Sequence, residues 1–426
     1  MANTYNYEEI LRSELIPALG CTEPIAIAYA AAKARSVLGT FPEKLELYCS
    51  GNVVKNVKGV NVPNAGGLKG IDVAGVLGVV CGNAEQELQV LTQATDSDVE
   101  KTKLLIQNGF VTCHLVEGVE NLYIRAVATA AEHSAEVTIA NKHTFITDIC
   151  RDGKTLYHVD SHEHTAKNVD KSTLTIEGIL EYANTVDPDT LRDLLDNQIQ
   201  MNSAISDEGM TGQYGAQIGK TILKMEGQTL LARAKARAAA GSDARMNGCS
   251  LPVVINSGSG NQGLTVSLPV IEYAAEIGAS KEQLYRALVV SNLVAIHQKY
   301  FIGSLSAFCG AVSAATAAGA AITYLAGGTY EQICMTIINA MGNAAGIVCD
   351  GAKASCAAKI ASSVGAALLG HQMALEGICF QAGDGIIQDD IEQTIRSIGH
   401  VAKNGMKETD LEILKIMLGQ VDLARC

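Results

Sequence analysis

The sequence contains no tryptophan, and aromatic residues make up only 4% of its 426 positions. A core built mainly on large aromatic rings is therefore excluded. Glycine is frequent instead, with 41 residues, and alanine recurs throughout the second half of the chain. Because small side chains let helix backbones approach one another closely, this composition predicts a protein of tightly packed helices.

The sequence also lacks any long run of basic residues. Its formal net charge is −13 and its isoelectric point is about 5.2. Contact with phosphate groups requires clustered lysine and arginine, so this charge balance excludes nucleic acid and an anionic membrane surface as partners.

Targeting and membrane-spanning segments are not expected either. The first nine residues lack the basic region and the following apolar run of a secretory signal. Twelve cysteines are spread singly along the chain, so we expect a cytoplasmic protein with reduced thiols. Residues 309–328 are almost free of charge and long enough to cross a bilayer. Their Ala, Gly, Ser and Thr content is weakly hydrophobic, however, and predicts a buried central helix.

Hydrophobic periodicity divides the chain into two parts. The sequence predicts an α+β fold in which a mixed α/β domain, residues 1–170, precedes a largely all-α, Ala- and Gly-rich domain, residues 171–426. In the first part, helices are predicted at 7–19, 25–37 and 71–109, a loop at 51–67, and strands at 44–50, 111–116, 122–128, 135–141 and 144–151. In the helical part, loops are predicted at 206–215, 241–249 and 256–263.

Three cysteines of the second part share an unusual setting: Cys309, Cys349 and Cys356. Thirty-nine residues separate the first two, and six separate the last two. Three thiolates can hold a four-iron cluster and leave one iron open as a Lewis acid. The spacing matches neither paired Cys-x-x-Cys zinc ligands nor a ferredoxin run, and buried cysteines often only pack. Spacing alone therefore leaves both interpretations open.

Cys21 stands just before a predicted helix. Thr22 is predicted to cap that helix, and Glu23 and Pro24 suit its first turn. The helix macrodipole is expected to lower the pKa of the Cys21 thiol toward neutrality, where a general base works well. The alternative is a thiol that packs beside the cap.

A Gly/Ser-rich loop at 256–263 leads directly into another predicted helix. Backbone N–H groups at such a position bind anions. The loop lacks the lysine of a phosphate-binding loop and the glycine order of a dinucleotide fingerprint, so a carboxylate is the expected ligand. The predicted contacts are Ser257, Gly258, Ser259, Gly260 and Asn261. Lys55 and Asn56, in the loop after the first strand, are further carboxylate contacts or else solvated turn residues.

Seven segments together resemble the bacterial and archaeal family of L-cysteine desulfidases, which is related to the α-chain of iron–sulfur L-serine dehydratases. The segments are Ala18–Pro24, Lys55–Asn56 with the glycines and Pro63 that follow, Glu208–Gly212, Ser242–Met246, Asn256–Gly263, Leu305–Cys309 and Cys349–Cys356. The resemblance covers essentially the whole chain.

The resemblance implies a [4Fe–4S] cluster held by Cys309, Cys349 and Cys356, without pyridoxal phosphate. It also implies a small amino-acid substrate that is converted to pyruvate and ammonia. The Ser-Ser-His-Thr-type motif of the dehydratase branch is missing, which favours L-cysteine, with sulfide as the third product. L-Serine dehydration is the alternative within the same class.

Two alternatives belong to other classes: a non-catalytic iron–sulfur or redox-sensing protein, and a metal-free binding protein. The predicted carboxylate loop argues against a sensor, which needs no such site. The sequence leaves the oligomeric state open, a homo-oligomer included.

In the lyase interpretation, Cys21 is predicted to take the Cα proton or to protonate the leaving group. Lys55 and His297 are rival bases. Cys21 or Cys426 could instead be a fourth cluster ligand.

Overall fold

The structure, a computed structural model, describes residues 6–160, 169–303 and 305–421. Its helices are α1 Tyr7–Glu14, α2 Thr22–Leu38, α3 Gly51–Val57, α4 Ile71–Cys81, α5 Asp96–Gln107, α6 Ile176–Thr185, α7 Arg192–Thr211, α8 Ile218–Glu226, α9 Leu230–Met246, α10 Gly260–Glu276, α11 Lys281–Ile302, α12 Gly310–Leu325, α13 Tyr330–Ala344, α14 Cys356–Leu375, α15 Ile391–His400 and α16 Lys407–Met417. A π-helical turn, Val401–Gly405, joins α15 to α16.

Eight strands form two sheets among the described residues. They are β1 Pro17–Leu19, β2 Lys44–Ser50, β3 Val111–Val116, β4 Tyr123–Ala130, β5 His133–Ala140, β6 Ile146–Arg151, β7 Lys154–His158 and β8 Pro252–Val254. The larger sheet has the order β3-β2-β4-β5-β6-β7, with only β2 and β3 parallel. The smaller sheet pairs β1 with β8 antiparallel, so it joins the two halves of the chain.

One face of the large sheet is covered by α2 and α4. Alternate residues of β2 and β4, such as Leu47 and Ala126, are fully buried beneath these helices. The two helices pack so closely that a Cβ at Gly78 would lie 2.3 Å from the carbonyl oxygen of Ala28. Glycine at this crossing permits the close backbone approach that the composition predicts.

The helical half is built around α12. Its residues from Ala311 to Thr323 are buried, and α10, α11, α13 and α14 pack around it. The predicted buried central helix is therefore confirmed. Within the described ranges, no helix is both long and apolar enough to cross a membrane.

The predicted α+β class is confirmed: the large sheet lies in the first half and helices dominate the second. Strands β2 and β3 have the predicted bounds. The predicted domain boundary at residue 170 stays a prediction, and residues 161–168 beside it lie outside the described residues.

Several local predictions were wrong. Residues 51–57 form helix α3 rather than a loop, because Val53 and Val57 are buried in the core and α16 packs on its outer side. The first helix ends at Glu14, and Pro17 begins β1, where pairing with β8 replaces helical bonding. Residues 206–211 and 241–246 belong to α7 and α9, because these two helices pack against each other.

Candidate functional site

A cavity of about 940 Å³ lies between elements from both halves of the chain. Most of the predicted site residues line it: Cys21, Lys55, Asn56, Ser257, Gly258, Ser259, Asn261, Cys309, Cys349 and Cys356. The structure thus brings residues from five separate segments to one place. Gly260 is not among the lining residues that the structure describes.

A short antiparallel bridge holds Cys309 and Cys349 side by side. Phe308 pairs with Val348. The N–H group of Cys309 donates to the carbonyl of Ile347 at 3.1 Å, and that of Cys349 donates to the carbonyl of Ala307 at 2.6 Å. Cys356 reaches the same cavity from the first position of α14. Backbone pairing across distant segments therefore places the three thiols on one cavity.

Four helices begin at this cavity. Cys21 directly precedes α2, Cys309 directly precedes α12, Cys356 is the first residue of α14, and Gly260 is the first residue of α10. Helix N-termini carry partial positive charge and unpaired N–H groups. Their convergence favours negatively charged groups in the cavity, such as thiolates and a substrate carboxylate.

The three thiols are close enough to influence one another. Burial, together with the nearby Cys349 and Cys356, raises the pKa of the Cys309 thiol to about 12. Burial also raises the pKa of Cys356. A metal centre bound here has to displace these protons, because only the thiolate is a ligand.

The donor set fits a polynuclear cluster better than a single ion. In the described part of the chain, no three His, Cys, Asp or Glu side chains lie close enough together to hold one metal ion. Three soft thiol donors around a cavity of this size are the chemistry that iron–sulfur clusters use. Cys309, Cys349 and Cys356 are therefore the residues that would hold such a group.

Two lysines accompany the cysteines. Lys299 lines the cavity near Cys309 and Cys349, and burial lowers the pKa of its amine to about 8 against the opposing effect of these thiols. Lys359 donates to the carbonyl of Val348 at 2.8 Å and forms an ion pair with Asp350. Lys359 therefore fixes the segment that carries Cys349.

The predicted pKa shift of Cys21 was wrong. Cys21 lies at the N-cap of α2, one residue before the position predicted for the cap, and only 1% of it is exposed. Burial raises the pKa of its thiol to about 12, which outweighs the lowering effect of Arg245. The thiol contacts the Met246 sulfur at 3.7 Å. Without a bound partner, Cys21 is therefore a proton donor rather than a preformed base.

Glu23 forms a polar network on the same wall. Its carboxylate accepts from the Asn56 amide at 3.1 Å and from the Thr22 hydroxyl at 3.1 Å. Burial alone would raise the pKa of Glu23, but His143 and the positive charge of Arg245 keep it at about 2. The wall thus presents a buried, ionised carboxylate.

The anion loop is shorter than predicted. Helix α10 begins at Gly260 instead of near Leu264, because the Ser259 side chain caps it by accepting from the Gln262 N–H. Ser257 and Gly258 have left-handed backbones, with φ of +50° and +77°. This turn leaves the first N–H groups of α10 without helical acceptors at the edge of the cavity.

Gly260 acts through Arg245 instead of facing the cavity. A Cβ at residue 260 would lie 2.2 Å from the Arg245 Nε, so only glycine leaves room for this side chain. Arg245 donates to the Asn261 side-chain oxygen at 3.2 Å, whereas its buried Nε has no hydrogen-bond partner. Arg245 thus carries positive charge to the wall beside the loop.

The rival bases have structural partners. The Lys55 amine, only 2% exposed, forms an ion pair with Asp410 of α16. His297 Nε2 lies 2.7 Å from the Glu392 carboxylate, and His297 is not among the lining residues described. Cys426 lies outside the described residues.

The cavity residues missed by the sequence reasoning include Glu23, His143, Arg245, Gln262 and Lys299. His143 sits in the tight turn between β5 and β6, and nothing local distinguishes it from a surface turn histidine. Gln262 is 6% exposed, and its side-chain oxygen has no hydrogen-bond partner. Lys299 could have been found, because it is a charged residue near the end of an otherwise buried helix.

Comparison with known proteins identifies the family. The sequence-family model of the serine dehydratase alpha chain matches residues 85–415. A "UPF0597 protein" of Finegoldia magna is 53% identical over 414 residues, which cover 97% of this chain and 99% of that protein. A protein of the same name from Lachnoclostridium phytofermentans is 51% identical over 410 residues, covering 96% and 98%. The chain therefore belongs to the serine dehydratase alpha-chain family.

Proposed function

We propose that this protein is an iron–sulfur-dependent lyase that eliminates the β-substituent of a small L-amino acid. The favoured reaction converts L-cysteine to pyruvate, ammonia and sulfide. The observation that supports it most strongly is the meeting of Cys309, Cys349 and Cys356 with an anion-binding helix terminus at one cavity. Membership in the serine dehydratase alpha-chain family supports a lyase of this kind.

The substrate carboxylate is proposed to bind at the start of α10. The N–H group of Asn261, which lines the cavity, lacks a helical acceptor there. Arg245 brings a guanidinium to the same wall, and it is only 4% exposed. A carboxylate held by these donors in a buried site gains more than it would in water.

The reaction breaks the Cα–H bond and the bond between Cβ and its substituent. Cys309, Cys349 and Cys356 would hold the [4Fe–4S] cluster, which when bound supplies an iron without a protein ligand, a Lewis acid for the departing group. Cys21 is proposed to relay a proton: its thiol gives a proton to the leaving sulfur, and the resulting thiolate takes up the proton lost from Cα, so that Cys21 ends the reaction as a thiol again. The aminoacrylate product then hydrolyses to pyruvate and ammonia.

L-Serine is the second candidate substrate, and the family match favours it. The same site would serve, with hydroxide in place of thiolate as the leaving group. A non-catalytic sensor is less well supported, because it has no use for a cavity of about 940 Å³ with a carboxylate-binding wall.

Anaerobic turnover of both amino acids tests this proposal. We expect L-cysteine to give pyruvate, ammonia and sulfide in equal amounts. Turnover of L-serine alone would establish the dehydratase alternative. If protein that contains iron and sulfide releases pyruvate from neither amino acid, the lyase proposal is wrong and the sensor interpretation gains.

A further inference from the structure

We infer that the Glu23 carboxylate binds the α-ammonium group of the substrate and so makes the cavity selective for amino acids over acids without that group. This specificity role rests on the proposed function, because it names a contact of the same substrate. Nothing in the sequence pattern pointed to it, since an acidic residue in the first turn of a helix is ordinarily explained by the macrodipole.

The position of Glu23 supports this role. It is 8% exposed, it lines the cavity, and it lies two residues after Cys21. Glu14 is the other buried acidic residue described on the cavity wall, but Lys171 already neutralises it through an ion pair. Among the described residues, Glu23 has only His143 within ion-pair distance, at 3.8 Å, and no lysine or arginine.

The hydrogen bonds of Glu23 leave acceptor positions unused. A carboxylate can accept about four hydrogen bonds, and Glu23 receives one from Asn56 and one from its own backbone N–H. The single hydroxyl proton of Thr22 is shared between Glu23 and the Gly258 carbonyl, each at 3.1 Å. His143 Nε2 lies 3.8 Å from the carboxylate, beyond hydrogen-bond length. The carboxylate is therefore built to accept further donors.

The remaining polar groups of the cavity suit the other end of an amino acid. Arg245, Lys299 and the start of α10 carry positive charge or N–H donors, which match a carboxylate. Gln262, 6% exposed, presents a second acceptor without a partner. A zwitterion satisfies both kinds of group, whereas an acid without an amine leaves the unused acceptor positions of Glu23 without a donor.

Two ligands that differ only in the α-amino group test the inference: S-methyl-L-cysteine and 3-(methylthio)propionate. Their dissociation constants are measured anaerobically by calorimetry on the cluster-loaded protein. We expect wild type to prefer the amino acid. Glu23→Gln should weaken the binding of S-methyl-L-cysteine by about 10–100-fold, the usual range for a charged hydrogen bond. The dissociation constant of 3-(methylthio)propionate should stay unchanged.

Two further variants separate specificity from folding. Glu23→Asp keeps the charge and should restore part of the preference. Glu14→Gln removes a buried carboxylate from the same cavity and should not change the ratio of the two constants. A wild-type protein without preference, or a Glu23→Gln protein that keeps it, would overturn the inference. Because the dissociation constants report binding and pyruvate is assayed separately, failure of the proposed elimination would appear as absent pyruvate without a change in these constants.

Discussion

The guanidinium of Arg245 lies directly against Gly260, where a Cβ would stand 2.2 Å from Nε and 2.6 Å from Cζ. The glycine therefore sets the position of the arginine, and through it the positive charge beside the Asn261 side chain. A residue expected to contact substrate through its own backbone instead positions a side chain that lines the cavity.

Gly260→Ala should move Arg245 out of place. We expect the KM for the amino acid to rise about tenfold or more, with a stability loss of about 1–3 kcal/mol from overpacking. Gly365→Ala, in helix α14, is the matched control. A Cβ added at residue 365 would contact only the Lys235 side chain, at an ordinary distance of 3.6 Å. That variant should gain about 0.5–1 kcal/mol of stability and keep its KM. An unchanged KM in Gly260→Ala would show that Arg245 does not bind substrate.

Cys21→Ala should abolish turnover while the protein keeps its iron and its visible absorption. The reason is that Cys21 lies on the cavity wall as a buried, protonated thiol. Iron analysis and pyruvate release on the same anaerobic sample provide the measurement. Loss of iron would make Cys21 a ligand, and near-normal turnover would leave it as packing against Met246.

The packing of helix α16 against the rest of the protein should depend on the buried ion pair between Lys55 and Asp410. Asp410→Ala leaves the Lys55 amine buried without its partner. The free energy of unfolding, measured with urea, should therefore fall by up to about 3–5 kcal/mol. Glu412→Ala on the same helix breaks the exposed pair with Lys415 and should cost less than about 1 kcal/mol. Adding Lys55→Met to Asp410→Ala should recover part of the loss, and equal losses in both single variants would contradict this.

Low pH should weaken the ion pair between Glu392 of α15 and His297 of α11. Burial raises the pKa of Glu392, but the hydrogen bond with His297 and the N–H of Ile176 lower it more, so the pKa lies below the ordinary value of a glutamate. A lowered folded-state pKa stabilises the protein above the unfolded value and loses that contribution as pH falls through the folded value. Glu392→Gln should therefore be less stable than wild type near neutral pH, with a gap that closes at acidic pH. A gap independent of pH would assign the loss to packing.

The strands could be predicted because their signal is local. Side chains of β2 and β3 alternate between the two faces of the sheet, and both bounds matched. Residues 51–57 could not be predicted, because glycine and asparagine favour a loop and only packing against the core and α16 makes this segment helical. The pairing of β1 with β8 joins residues more than 230 positions apart, a contact that no local pattern encodes.

The residues of the candidate site could be predicted where they belong to a recognisable sequence motif. Cys21, Cys309, Cys349 and Cys356 all line the cavity, and each stood in a recognisable segment. The pKa of Cys21 could not be predicted, because burial outweighs the macrodipole and burial depends on the whole fold. His143 reaches the cavity from a turn of the distant sheet, so only the tertiary structure reveals it.

The central proposal, a cluster held by three cysteines that makes the cavity a lyase site, is tested most directly by iron content. Anaerobically purified wild type should contain about four irons and four sulfides per chain. Cys349→Ala should lose most of this iron together with pyruvate release. Cys334→Ala, which removes a buried thiol from α13 outside the described cavity lining, should retain both. Iron and turnover that survive in Cys349→Ala would contradict the proposal.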